Sequence, residues 1–198
     1  GLMVFADTAY LVPIAAAAVL SVWAARRAAR GMRVFWGIVA ASNALWLGAE
    51  TLWSVRELSA GEVPFPWWTD VGYLASYALL LAAIAVAFRP SFRTVRLAGV
   101  LDGAIVVGAL AFVWWWIVLR PLPLGADLVS VVAVAYPSFG LVLLGMLAAT
   151  RLLPARRGTV VLKLFSAAIV ATAVADAVYT DAVVTHTYLS GDWIAIGW

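Results

Sequence analysis

The chain has 198 residues, 66% of them hydrophobic and only 12% charged, with a formal net charge of +3. A soluble domain of this length has too little interior to hide so much apolar surface, so the composition excludes an ordinary soluble globule and predicts an integral membrane protein. The absence of cysteine excludes disulfides, thiolate metal sites and thiol catalysis.

Hydropathy predicts an all-α, polytopic transmembrane bundle, a single domain over 1–198. A span needs roughly 20 apolar residues to cross the hydrocarbon core. The opening stretch GLMVFADTAYLVPIAAAAVL lacks the basic region and cleavage site of a signal peptide and reads as the first span, about 8–25. The second is expected at about 34–54 and carries Asn43, Glu50 and Trp53. A carboxylate within a span is costly and faces either a polar interior or, near a helix end, the interface. Both readings of Glu50 stand. Asn43 lies two turns earlier and either extends such a pocket or holds helices together.

The third span, about 69–88, follows PFPWWTD, in which Trp67 and Trp68 precede Asp70. Asp70 is expected to begin the helix as its N-cap, accepting from otherwise unpaired backbone N–H groups. A ligand or proton role is the alternative. The fourth span, about 98–119, ends on Trp114, Trp115 and Trp116. Neighbours on a helix are about 100° apart, so at least one of the three must turn into the bundle while the others join an interfacial belt or an aromatic ligand wall. The fifth, about 128–150, follows Asp127 and contains Pro137, which is expected to kink it. The sixth, about 161–183, carries Asp176 and Tyr179. A stub at 192–198 opens a seventh helix, and the chain is expected to continue past it. Connections are expected to be short except near 55–68 and 184–192.

Basic residues sort by connection. Arg26, Arg27, Arg30 and Arg33 fall in the first, Arg89, Arg93 and Arg96 in the third, and Arg151, Arg156, Arg157 and Lys163 in the fifth; only Arg56 and Arg120 fall on the other side. The positive-inside rule puts the first group in the cytoplasm and the N-terminus outside, in the inner (plasma) membrane. These loops then serve topology and anionic lipid rather than nucleic acid.

Short matches suggest repeated helical hairpins. Asp70, Asp127 and Asp192 each precede an apolar run, and Glu50–Trp53 parallels Asp176–Tyr179, an acid followed three residues later by an aromatic. If the matched helices share a centre, Asn43, Glu50, Trp53, Asp70, Tyr73, Asp176 and Tyr179 form a pocket for a hydrophobic or amphiphilic small ligand. His186, the sole histidine, reads as a solvated loop residue. No phosphate-cradling loop, metal motif or nucleophile–His–acid set is present in the sequence, so no catalytic residue, metal site or cofactor is expected.

The order of PFPWWTDVGYLASYALL, RLAGVLDGAIV, VAVAYPSFGLVLL and ADAVYT over roughly 35–198 resembles the multi-helix membrane region found ahead of bacterial diguanylate cyclase and cyclic-di-GMP phosphodiesterase domains of the GGDEF and EAL types. Asp70, Tyr73 and Tyr77 match that family's acidic-aromatic entry, Asp102-Gly103 its Asp-Gly step, and Asp176 its later acid. Where the family often has an acid after Tyr-Pro, this chain has Phe139 and Gly140. The resemblance implies a sensory or anchoring input module whose cytoplasmic output domain follows residue 198. Two readings from other classes stand beside it. One is a non-enzymatic accessory subunit of a membrane complex, with a second copy or another protein as partner. The other is a small transporter, which the apolar middles of the spans disfavour.

Overall fold

The computed structural model describes residues 2–61, 63–92, 97–120, 125, 127–151 and 160–185. Among these there are six α-helices and one short π-helix, and no strand: α1 (Leu2–Arg27), α2 (Arg30–Ala60), α3 (Trp68–Phe92), α4 (Leu97–Trp114) running into the π-helix Trp115–Leu119, α5 (Leu128–Arg151) and α6 (Val160–Val184). Each expected span has its helix. The expected stub at 192–198, His186, Tyr188 and Glu62 lie outside the described residues.

Among the described residues three helices are long and apolar enough to cross a membrane, through Tyr10–Arg27, Trp68–Ala87 and Leu128–Met146. The expectation of six full spans is reduced accordingly. Helix α2 is the longest, at 31 residues, but Ser42, Asn43 and Glu50 dilute its middle. In α4 the apolar stretch Ala104–Trp114 is shorter. The second correction concerns the outer connection expected at 55–68. Helix α2 continues through Ala60 and stops at Gly61, whose φ of +77° only glycine adopts freely and whose N–H closes on the Glu57 carbonyl at 2.8 Å.

The distribution of side chains is that of a protein solvated by lipid. Val12, Leu20, Val71, Ile105, Phe112 and Val174 face outward, whereas Ser42, Ser76, Thr69, Asp70, Asp176 and Thr180 are buried. Exposed apolar faces over buried polar groups invert the pattern expected in water. With the three long apolar helices, this marks a membrane protein.

The chain forms two units, 1–87 and 88–198. In the first, α1 and α2 are joined by Ala28 and Ala29 and fold back on each other, so that Asn43 Nδ2 donates to Ser21 Oγ at 2.8 Å and reaches the Ala17 carbonyl at 3.4 Å. Helix α3 packs on α2 at Gly72, where an added Cβ would come within 2.9 Å of Ala49 Cβ. In the second unit, α5 lies between α4 and α6. Gly140 faces α6, with an added Cβ 3.1 Å from Ala173 Cβ, and Gly145 faces α4, 2.6 Å from Val107 Cγ2. Small residues let backbones approach where packing, rather than expulsion of water, holds helices together.

Pro137 lies inside α5 with the helix unbroken around it. Proline has no N–H, so the carbonyl four residues earlier, that of Ala133, loses its helical partner. Thr180 on α6 supplies the replacement: its Oγ1 lies 2.9 Å from the Ala133 oxygen and 2.8 Å from the Asp176 carbonyl of its own helix. The α5–α6 seam thereby satisfies the carbonyl that proline frees.

Candidate functional site

The seven residues singled out from the sequence divide between the two units. Asn43, Glu50, Trp53, Asp70 and Tyr73 lie in the first, Asp176 and Tyr179 in the second. Each cluster is therefore taken by itself.

In the first unit the site forms along the α2–α3 seam. Residues Ser42, Trp46, Ala49 and Glu50 recur at helical spacing on α2 and meet Gly72, Tyr73, Ser76 and Tyr77 on α3. Ser42 Oγ donates to the Ser76 carbonyl at 2.8 Å. Because Gly72 admits α3 so closely, Tyr73 Oη donates to Glu50 Oε2 at 2.6 Å, a short bond between the two helices. Trp46 sits one turn before Glu50, its ring 6.2 Å from Tyr73 in an edge-to-face arrangement and 6.0 Å from Tyr77. Glu50 is half-buried.

Sequence reasoning missed Trp46, Ser42 and Ser76 as members of this seam. The i, i+4, i+8 spacing of Ser42, Trp46 and Glu50 was the available signal. Asn43 faces α1 instead, through Ser21, and holds the α1–α2 pair rather than the Glu50 seam. Trp53 turns its Nε1 to Glu57 Oε2 within α2, at 3.2 Å.

Asp70 does begin α3, but from its third residue and not as its cap. Its Oδ2 accepts the backbone N–H of Trp67 at 2.6 Å, while its own N–H closes on the Trp67 carbonyl at 3.0 Å. This is the acid half of a capping box. Two buried donors of the unit, Trp46 Nε1 and Thr69 Oγ1, have no hydrogen-bond partner among the described residues. Such groups are rare and costly.

In the second unit Asp176 is 1% exposed. Its carboxylate lies over the bare backbone of Gly140, Oδ2 being 3.7 Å from where a Cβ would stand. Tyr179 meets Tyr136 of α5 edge-to-face at 5.9 Å. The matched pairs Glu50–Trp53 and Asp176–Tyr179 thus make different contacts: the first aromatic bonds along its own helix, the second crosses to a neighbour. The absence of a side chain at Gly140 gives Asp176 its seat.

Asp127 directly precedes α5 and caps it. Its Oδ1 accepts from Ser130 Oγ at 2.6 Å, and its carbonyl receives the Val131 N–H at 3.1 Å. The Ser130 hydroxyl, then the backbone N–H of Asp127 and those of Ser130 and Val129, hold the Asp127 carboxyl below the usual carboxylate range. Asp192, the third of the matched acids, lies outside the described residues.

Of the three consecutive tryptophans, Trp114 turns its Nε1 inside, with no partner among the described residues. Trp115 and Trp116 stay 57% and 54% exposed. Trp116 stacks on Phe112 and carries the Arg120 guanidinium 4.1 Å above its ring. Among the described residues no three His, Asp or Glu side chains gather as a metal site would require.

Comparison with protein-family models, with curated proteins and with solved structures returns no match to the chain.

Proposed function

We propose that the chain is the membrane-embedded input module of a bacterial signalling protein, non-catalytic itself, which relays an outer-side or bilayer signal to a cytoplasmic output domain. In this reading all six helices cross the inner membrane and the N-terminus lies outside. The observation that carries it is the Glu50–Tyr73 bond in the aromatic α2–α3 seam. A carboxylate bonded between two helices within an apolar layer makes their register depend on what contacts it. Nearby Trp46 and Thr69 add buried donors to the same pair of helices. A cationic or neutral amphiphile suits this chemistry, held by a carboxylate and aromatic faces. The family resemblance names the output as cyclic-di-GMP turnover.

The test is cyclic-di-GMP turnover in membranes carrying the full gene product. Glu50→Gln and Tyr73→Phe, each keeping size and shape, should change output several-fold at unchanged membrane level. Wild-type output from both variants rules the reading out.

A second reading, an accessory subunit of a membrane complex, is favoured by Gly48 and Gly108. An added Cβ at either would meet nothing within 4 Å, and open small residues on helix faces suit a partner helix. Purification in mild detergent separates the two: a retained stoichiometric partner supports the subunit reading, and a lone chain opposes it.

A further inference from the structure

At the end of the first unit away from Glu50, the α1–α2 hairpin carries a groove of about 530 Å³ lined by Val22, Ala25 and Arg26 of α1 and Arg33, Gly37 and Ala40 of α2. Its floor is apolar and runs about 10 Å along α2 from Arg33 to Ala40, at 1.5 Å per residue. Arg26 and Arg33 stand together at one end. Gly37 keeps the groove open, since a Cβ there would meet nothing within 4 Å.

The charge here is one-sided. Arg26, Arg27, Arg30 and Arg33 surround the helix junction, and no Asp or Glu occurs between Asp7 and Glu50. Glu50 stands 17 residues beyond Arg33, roughly 25 Å along the helix. Trp23 marks the depth: it is 53% exposed, and the Arg27 guanidinium lies 4.4 Å from its ring centroid, an amphipathic pair suited to the headgroup boundary.

We propose that this groove binds one anionic phospholipid, an acyl chain lying against Val22, Ala25, Gly37 and Ala40 and the phosphodiester held by Arg26 and Arg33. Guanidinium forks match phosphate oxygens and form charge-assisted bonds with them. A zwitterionic lipid brings the same phosphate but adds an ammonium beside Arg26 and Arg33, so the site prefers net negative headgroups. The inference rests on α1 lying in the bilayer, and is independent of the input-module reading.

The experiment uses the full chain purified from membranes in mild detergent, with phosphatidylglycerol or phosphatidylcholine of equal chain length added and bound lipid counted by native mass spectrometry. Wild type should retain phosphatidylglycerol at about tenfold lower lipid concentration than phosphatidylcholine, the worth of about one charge-assisted bond. The double variant R26Q/R33Q should lose that preference. G37L should weaken phosphatidylglycerol binding with every charge in place, by filling the groove. R27Q, which removes the charge resting on Trp23 and lies outside the groove lining, should keep the preference.

Equal binding of the two lipids by wild type, or an undiminished preference in R26Q/R33Q, overturns the site. Displacement of the lipid by water-soluble glycerophosphate at matched concentration overturns the role of the apolar floor. The fraction recovered in membranes is measured first: a chain found in the soluble fraction overturns the bilayer setting, whereas an inserted chain without lipid preference overturns the site alone. Helical circular dichroism guards the variants, and if G37L fails to fold, R26Q/R33Q decides.

Discussion

Thr180 is where one residue does what neither its own helix nor its position in sequence requires. Its hydroxyl serves the Ala133 carbonyl that Pro137 leaves without a helical partner. Thr180→Val keeps the shape and removes the donor, so it should cost about 1–3 kcal/mol, the penalty of a buried acceptor left unpaired. In a Pro137→Ala background residue 137 recovers an N–H for that carbonyl, and Thr180→Val should cost markedly less. Thermal unfolding of the four chains in one detergent checks this as a double-mutant cycle; equal costs in both backgrounds refute the pairing.

Asp127 makes a second prediction at the same scale. Its carboxyl is held below the usual value by Ser130 and the first-turn N–H groups. A carboxyl depressed in the folded state stabilises the fold above its unfolded pKa, and that contribution is lost as pH falls through its folded value. Asp127→Asn should therefore flatten the acid limb of stability as pH falls from about 5 to about 2. Ser130→Ala should do so in part, since it removes the hydroxyl that does most to hold the carboxyl down. Melting temperatures across that range give the measurement, and curves parallel to wild type would refute the assignment.

Among the elements, two of the helix pairs meet at a glycine beside an acid. Gly72 brings α3 onto Ala49 beside Glu50, and Gly140 brings α5 onto Ala173 beside Asp176. Leucine at either place must push the helices apart, at about 1–3 kcal/mol or more because backbone lies behind the small neighbour. Gly72→Leu should also break the Tyr73–Glu50 bond, whereas Gly48→Leu, where nothing stands within 4 Å, should leave it intact. Cysteine crosslinking between positions 46 and 77, whose rings lie 6.0 Å apart, reports the seam. Persistence of the crosslink in the Gly72→Leu chain would show that the approach does not depend on glycine.

For the molecule as a whole, the testable feature is orientation. The split of arginines and lysines puts residue 60 outside and residue 155 inside under the six-span reading. A cysteine at Ala60 should react with an impermeant thiol reagent added to intact cells, and one at Ala155 should react only after permeabilisation. The reverse pattern would invert the topology and, with it, the side from which a signal enters.

Sequence by itself determined the elements and their surroundings. Apolar runs near 20 residues bounded by Arg, Pro and Asp mark all six helices, because in lipid a chain has to satisfy its backbone internally. Apolar length does not mark every end: α1 begins six residues before, and α2 ends six residues after, the bounds expected from hydropathy. Sequence also required one tryptophan of Trp114–Trp116 to turn inward, from helical geometry alone. Tertiary structure decided which polar groups meet. That Glu50 answers Tyr73, that Asn43 turns to Ser21, that Trp53 stays with Glu57 and that Thr180 serves Ala133 depend on axial rotation and on how near two helices come. Those quantities are set by packing against glycines such as Gly72 and Gly140, whose partners lie on another helix, 23 and 33 residues away in the chain. Hydropathy carries no term for such contacts, since a glycine facing lipid and one facing a helix read alike in sequence.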